Sequence, residues 1–231
     1  MISAYIIIKK ESIRVPNKNF RMLGEKPLYR WCIDTLLEMS EISEVIINTD
    51  SIDSLRDLWD IPKLRIIPRR KELLGNNITA NILIKSDLED ISSNDILMTH
   101  VTAPFVSKKT YANAIKMYKQ SQKQSLMSVT RLQDRFFSHD KLPVNHDPDN
   151  LLPTQDLKPL FLENSCIYLF SKNKFRENSS RISEKPYFFE TPSYESLDID
   201  TPEDWIHAKL IVDRFDSDKA SLTKDVNSFY L

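Results

Sequence analysis

Short apolar runs separated by segments of helical periodicity constrain this chain most. Tyr5-Ile6-Ile7-Ile8 (within Ser3–Ile8), Val45–Thr49 (VIINT), Leu64–Ile67 (LRII), Ile96–Thr99 (ILMT) and Ser125–Thr130 (SLMSVT) each read as a buried strand. Between them, Leu28–Met39 carries Leu28, Trp31, Cys32, Leu36 and Met39 on one side, and Asp50-Ser51 opens a helix through about Trp59. Thr79–Leu88 and Lys108–Gln120 follow as amphipathic helices. Strands without a polar face, alternating with helices, imply a largely parallel sheet covered on both sides. The 231 residues suffice for one large α/β domain with a full core.

The alternation lapses from Leu132 to Pro159, a segment rich in Asp, Asn, His and Pro. It is expected to form a β-arm or a long ordered loop, since so long an irregular stretch usually serves binding or association. Periodicity returns at Cys166–Phe170 and Tyr187-Phe188-Phe189. Thr201-Pro202-Glu203-Asp204 opens a last helix: Thr201 suits the N-cap, Pro202 the first turn, and the acids the positive end of the dipole. That helix is expected to reach about Phe215, with 217–231 as a loose tail.

Charge excludes some partners. With 32 basic and 33 acidic residues the net charge is −1, which argues against a general nucleic-acid or anionic-membrane binder. No apolar run approaches the roughly 20 residues needed to cross a bilayer, and the first residues carry no signal-peptide pattern. Cys32 and Cys166 lie in separate apolar segments without CxxC spacing, so free buried thiols and a cytoplasmic location are expected.

Against that balanced charge, Lys9, Lys10, Arg14, Lys18 and Arg21 gather just past the first strand, with Pro16 stiffening the loop. Cations there are placed to hold phosphates, or they form a solvated turn. The chain has only two glycines, Gly24 and Gly75, so side-chain charge must replace the usual glycine-rich cradle. Near the other end, Asp198 and Asp200 fall two apart and share a face if extended. Such a pair suits Mg²⁺, or Asp200 and Thr201 simply shape a turn and helix cap. His139 and His146, beside Asp140 and Asp147, have no fixed facing that would make a metal site.

RVPNKN, LGEKPLYRW, INTDS, the Thr102-Ala103-Pro104 turn, ENSCIY and SLDIDTPEDW stand in the order seen in the CMP-sialic acid synthetases, or acylneuraminate cytidylyltransferases. The chain resembles that family over about residues 3–212. The resemblance implies a three-layer α/β/α, Rossmann-like nucleotidyltransferase fold in one domain, 1–231. It also implies a homodimer whose arm, near 132–162, reaches the partner's site. Implied too are CTP and an acidic sugar as substrates, pyrophosphate release and Mg²⁺ dependence. By position, Lys18 and Asn19 match the family's phosphate-loop pair, Lys9 a triphosphate-contacting arginine and Ser12 the loop serine. Arg69 and Thr79 match nucleotide contacts, and Asp198 and Asp200 the Mg²⁺ ligands. Phe188 and Phe189 match an aromatic pair of the sugar pocket, or are core residues of a strand, and Gln155 falls on the substrate side.

Departures weaken the acceptor half more than the nucleotide half. The family loop Arg-Gly-Gly-Ser-Lys-x-Ile-Pro becomes Lys9-Lys10-Glu11-Ser12-Ile13-Arg14-Val15-Pro16, so Ile13 replaces a lysine and Arg14 stands one residue away as its substitute. His100 takes the place of a sugar-contacting glutamine, or is a satisfied structural histidine. Thr154 and Leu162 occupy positions of two arginines that read the sugar acid, which argues against plain N-acetylneuraminate. An octulosonate or phosphonate acceptor, or a non-catalytic nucleotide-binding relative, remains as an alternative.

Overall fold

β1 (Ile2–Ile8) is the first strand, and its alternation sets the layers. Ala4, Ile6 and Ile8 face one side and Tyr5 the other, all nearly inaccessible. The computed structural model describes residues 1–75, 77–121 and 124–217, with side chains as far as 214. After β1 come the short hairpin β2 (Met22–Leu23) and β3 (Lys26–Pro27), then α1 (Leu28–Leu37), β4 (Ile42–Thr49) and β5 (Leu64–Pro68). α2 (Ala80–Asp87), β6 (Asp95–Thr99), α3 (Lys108–Gln120), β7 (Leu126–Leu132) and β8 (Leu160–Ser171) follow. α4 (Lys172–Asn178), β9 (Tyr187–Glu190) and α5 (Pro202–Ser217) complete the order.

The seven-stranded sheet runs β5-β4-β1-β6-β8-β7-β9. β1 pairs in parallel with both β4 and β6, so successive connections diverge at the C-terminal ends of β1 and β6 and leave a crevice there. β8 is antiparallel to β6 and β7, because β7 and β8 are joined by the arm rather than by a crossover helix. α1 and α3 cover one face through Ile33, Leu36, Tyr111 and Ile115. α2 and α4 cover the other through Ile84 and Phe175. A third cluster joins Trp205, Ala208 and Val212 of α5 to Val15, Leu23, Leu28 and Phe105, which brings the acidic doublet to the loop after β1. Gly24 turns the hairpin at φ 64°, and a Cβ there would sit 2.7 Å from Val212 Cγ1.

Three elements differ from expectation. The helix expected from Asp50 is a 3-10 segment, Ile52–Leu58, kinked at Leu55, and only Leu55 and Leu58 are buried. One buried pair three residues apart favours 3-10 spacing over a full α-helical stripe. β8 begins six residues before Cys166, because Leu160–Glu163 extends beyond the core as a ribbon on Val129–Leu132. α4 gave no periodic signal, since Phe175 is its one buried residue. In the arm, 133–159 holds isolated bridges at Phe137–Pro143 and Asp147–Asn150 and a 3-10 turn at Thr154–Asp156. Residues 218–231, nearly all of the expected tail, lie outside the described residues.

Candidate active site

A cavity of about 520 Å³ opens at the crevice, lined by Lys9, Ser12, Arg14, Lys18, Asn19, His100, Asp198 and Asp200 among others. Local chemistry explains how the doublet is held. Ile199 is fully buried and its N–H donates to the Thr102 carbonyl at 2.8 Å, so Asp198 and Asp200 on either side turn to the cavity. The Asp204 carboxylate accepts the N–H groups of Asp200 (2.9 Å) and Thr201 (2.8 Å), while Thr201 Oγ1 accepts from the Asp204 N–H at 3.2 Å. This reciprocal cap fixes the backbone at Asp200 as α5 begins.

Lys18 reaches the doublet from a 3-10 turn entered through Asn17 at φ 54°. Its Nζ donates to the Ile199 carbonyl (2.6 Å) and to Asp200 Oδ1 (2.8 Å). Arg14 Nη2 lies 2.7 Å from Asp200 Oδ2. Burial opposes the charge on Asp200, but Lys18 and then Arg14 outweigh it and hold that carboxyl below its usual range. Asp198 goes the other way. Burial raises its pKa and the charge of Asp200 adds to this, against a hydrogen bond from Thr102. Asp198 Oδ1 is buried and has no hydrogen-bond partner among the described residues.

That orphaned oxygen beside a second carboxylate fits a hard divalent cation, and Mg²⁺ needs few protein ligands when substrate and water complete its shell. No cluster of three or more His, Cys, Asp or Glu that could hold a metal exists among the described residues, so the doublet would share its ion with a ligand.

The structure brings Lys9, Ser12, Arg14, Lys18, Asn19, His100, Asp198 and Asp200 to one cavity and leaves other expected site residues outside its wall. Asn19 Nδ2 donates to the Lys9 carbonyl at 2.8 Å and its Oδ1 is buried without a partner. Lys9 Nζ donates to the Gly75 carbonyl at 3.2 Å, closing the loop after β1 against the one after β5. Arg69 is buried and faces inward: Nε donates to Asn48 Oδ1 (2.7 Å) and Nη2 to the Ile8 carbonyl (3.2 Å). Thr79 caps α2, accepting from the Ile82 N–H. His100 follows β6 with Nε2 buried and without a hydrogen-bond partner among the described residues, and burial, with Arg181, pushes its pKa down to about 4. Phe188 and Phe189 alternate across β9. Phe188 is exposed beside Phe161, with centroids 5.3 Å apart, and Phe189 packs on the core. Gln155 is exposed in the arm.

Sequence reasoning missed Asp50. Its Oδ1 accepts the Lys10 N–H at 2.7 Å, and its Oδ2 lies 3.7 Å from Arg69 Nη1, so it ties the basic loop to the end of β4. An acid directly after the VIINT strand was the available signal. It also missed Ser165, which lines the cavity at φ 60°, a conformation no residue pattern marks for serine.

A family model described as Cytidylyltransferase matches residues 6–226. The N-acylneuraminate cytidylyltransferase of Streptococcus agalactiae serotype III (strain NEM316) is 24% identical over 229 residues, spanning 94% of this chain and 54% of that protein. The chain thus spans about half the length of that curated relative. The CMP-N,N'-diacetyllegionaminic acid synthase of Legionella pneumophila is 29% identical over 232 residues, spanning 88% and 93%. A solved CMP:2-keto-3-deoxy-manno-octonic acid synthetase complexed with CTP matches the fold with a TM-score of 0.68 at 12% identity, covering 92% and 98% of the two chains. For the 4-diphosphocytidyl-2C-methyl-D-erythritol synthase of Anaerococcus prevotii the TM-score is 0.66 at 17% identity, covering 92% and 97%.

Proposed function

Because the chain belongs to the cytidylyltransferase family, we propose that it transfers CMP from CTP to the hydroxyl of an acidic, sialic-acid-like sugar and releases pyrophosphate. The product would serve surface glycan synthesis. The observation that carries this reading is the meeting of the basic loop and the acidic doublet in one cavity, with Lys18 on Asp200. In-line attack on the α-phosphorus needs little covalent help from the protein, so positioning and charge stabilisation decide the rate. Lys9, Arg14 and Lys18 neutralise the triphosphate. Asn19, Ser12 and Thr79 position the nucleotide. Asp198 and Asp200 would hold Mg²⁺, which would supply positive charge against the developing charge of the phosphates.

For the acceptor, relatives named for N-acylneuraminate, N,N'-diacetyllegionaminic acid and pseudaminic acid support a nonulosonate, and the latter two support a modified one. Thr154 and Leu162 speak against unmodified N-acetylneuraminate as the preferred one. The arm exposes Phe137, Leu142, Val144, Leu151, Leu152 and Leu162, which suits a homodimer interface. The free buried thiols Cys32 and Cys166 suit a reducing cytoplasm.

The test is a coupled pyrophosphate-release assay with CTP, Mg²⁺ and a panel of nonulosonates, octulosonates and phosphonates, beside calorimetric CTP binding. Release with a modified nonulosonate is expected. Full-rate release with plain N-acetylneuraminate would refute the acceptor argument. Absence of both CTP binding and release would favour a non-catalytic relative.

A further inference from the structure

No glycine lies in the loop after β1, residues 9–21, yet that loop carries the cations of the cavity. One peptide unit in it is gripped from both sides. The Lys9 carbonyl accepts from Asn19 Nδ2 at 2.8 Å, and the N–H of the same Lys9–Lys10 peptide donates to Asp50 Oδ1 at 2.7 Å. Because a peptide unit is planar, holding both its oxygen and its N–H fixes the whole plane. Asn19 belongs to the 3-10 turn Lys18–Phe20, and Asp50 follows directly on β4. Glycine-rich phosphate loops turn such N–H groups toward the ligand. Here the N–H is taken by a carboxylate, so the side chains around it carry the charge.

The other side of Asp50 rests on buried structure. Its Oδ2 lies 3.7 Å from Arg69 Nη1. Arg69 is itself held at several points: its N–H donates to the Thr49 carbonyl at 2.7 Å, its Nε to Asn48 Oδ1 at 2.7 Å and its Nη2 to the Ile8 carbonyl at 3.2 Å. Behind it, Asp87 Oδ2 accepts from Asn48 Nδ2 at 2.6 Å and from the Tyr5 hydroxyl at 2.8 Å. The Ser51 N–H donates to Thr49 Oγ1 at 3.1 Å and closes a turn around Asp50. Asp50 therefore links a fixed, buried network to the first residues of the loop, and its charge strengthens the bond to the Lys10 N–H.

Resting on the function proposed above, we infer that Asp50 is a positioning residue for the triphosphate. With Asn19 it clamps the Lys9–Lys10 peptide and so sets Lys9 in register with Lys18 on the wall of one cavity. Asp50 is not part of that wall and acts through the loop. Its direct Coulomb effect on a triphosphate is repulsive. Its charge and its hydrogen bond to the loop thus work in opposite directions on CTP binding, and substitution separates them.

The experiment compares Asp50→Asn with Asp50→Ala by calorimetric CTP binding, well below either melting point. Both variants remove the same charge, but only asparagine keeps an oxygen for the Lys10 N–H. Asp50→Ala should bind CTP about fivefold more weakly than Asp50→Asn, within the range of one hydrogen bond. Equal dissociation constants overturn the assignment. If Asp50→Ala does not fold, amide hydrogen exchange in the native chain decides. The Lys10 N–H should exchange at least about tenfold more slowly than an unstructured amide, with or without CTP. A Lys10 amide that is unprotected, or protected only when CTP is present, overturns the assignment. If the native chain binds no CTP, the proposed function fails, and exchange at Lys10 in the free chain then decides the clamp alone: protection supports it, and free exchange overturns it.

Discussion

Lys18 and Asp200 are 182 positions apart in sequence, and Lys18 Nζ sits 2.8 Å from Asp200 Oδ1. Asp198, two residues back, has an oxygen with no such partner. The two acids therefore answer the same substitution differently. Asp200→Asn breaks contacts with Lys18 and Arg14, and because Asp200 is half-buried, solvent screening keeps the loss near about 1 kcal/mol or below. Asp198→Asn removes a charge that burial and the neighbouring Asp200 disfavour, so thermal stability should hold or rise slightly. Both variants should lose Mg²⁺-dependent pyrophosphate release. Calorimetric scans of the pair check this, and equal destabilisation by both would contradict the geometry.

His100 makes stability depend on mild acid. Its burial, reinforced by Arg181, partly opposed by Asp200 and aided by Lys18, holds its pKa at about 4 against an ordinary 6.5. The unfolded chain takes up the proton near 6.5 and the folded chain only near 4. The favourable contribution is thus complete above the unfolded value and is lost as pH falls through that window, by up to about 3 kcal/mol. His100→Gln should flatten this limb. Denaturant unfolding of both proteins between neutral pH and the lower bound gives the difference, and parallel profiles would rule the argument out.

The fold gives Arg69 buried partners of its own. By position it matches a nucleotide contact, yet its guanidinium is buried against Asn48, the Ile8 carbonyl and Asp50. Asn48 Nδ2 in turn donates to Asp87 at 2.6 Å, which also accepts from Tyr5 at 2.8 Å. Arg69→Met strands these groups and should cost about 3 kcal/mol of stability. CTP affinity measured well below the melting point should change less than the melting temperature does. A large loss of CTP affinity at unchanged melting temperature would mean that Arg69 touches the nucleotide.

What was readable in advance follows physical rules. β1, β4 and β6 announced themselves because strands buried on both faces read as near-continuous apolar runs, as at Val45-Ile46-Ile47 and Ile96-Leu97-Met98. Lys18 and the doublet stood out because charge flanks an apolar strand in one case and repeats at a spacing of two in the other. The buried partners of Arg69 were not legible because they come from β1 and β4, which a one-dimensional reading does not bring together. Phe188 and Phe189 point to opposite sides of β9, as neighbours in a strand do, one exposed and one against the core. The bulge at Ser165 had no signal at all, being set by the Ser128 hydroxyl far away in sequence.

Ile13 is the sharpest local anomaly, 82% exposed on the wall of the cavity that Lys9, Arg14 and Lys18 also line. Arg14 beside it pairs with Asp200, so position 13 itself adds no charge to the loop. Ile13→Lys adds one without displacing any core packing, so the melting temperature should stay within about a degree. Against a triphosphate the new charge should be worth about 1 kcal/mol in this exposed setting, or roughly fivefold in kcat/KM for CTP. The gain should shrink as salt is raised, because exposed charge pairs are screened. Steady-state kinetics at two ionic strengths measure it, and an unchanged or weakened KM for CTP would mean that the phosphates do not pass this wall.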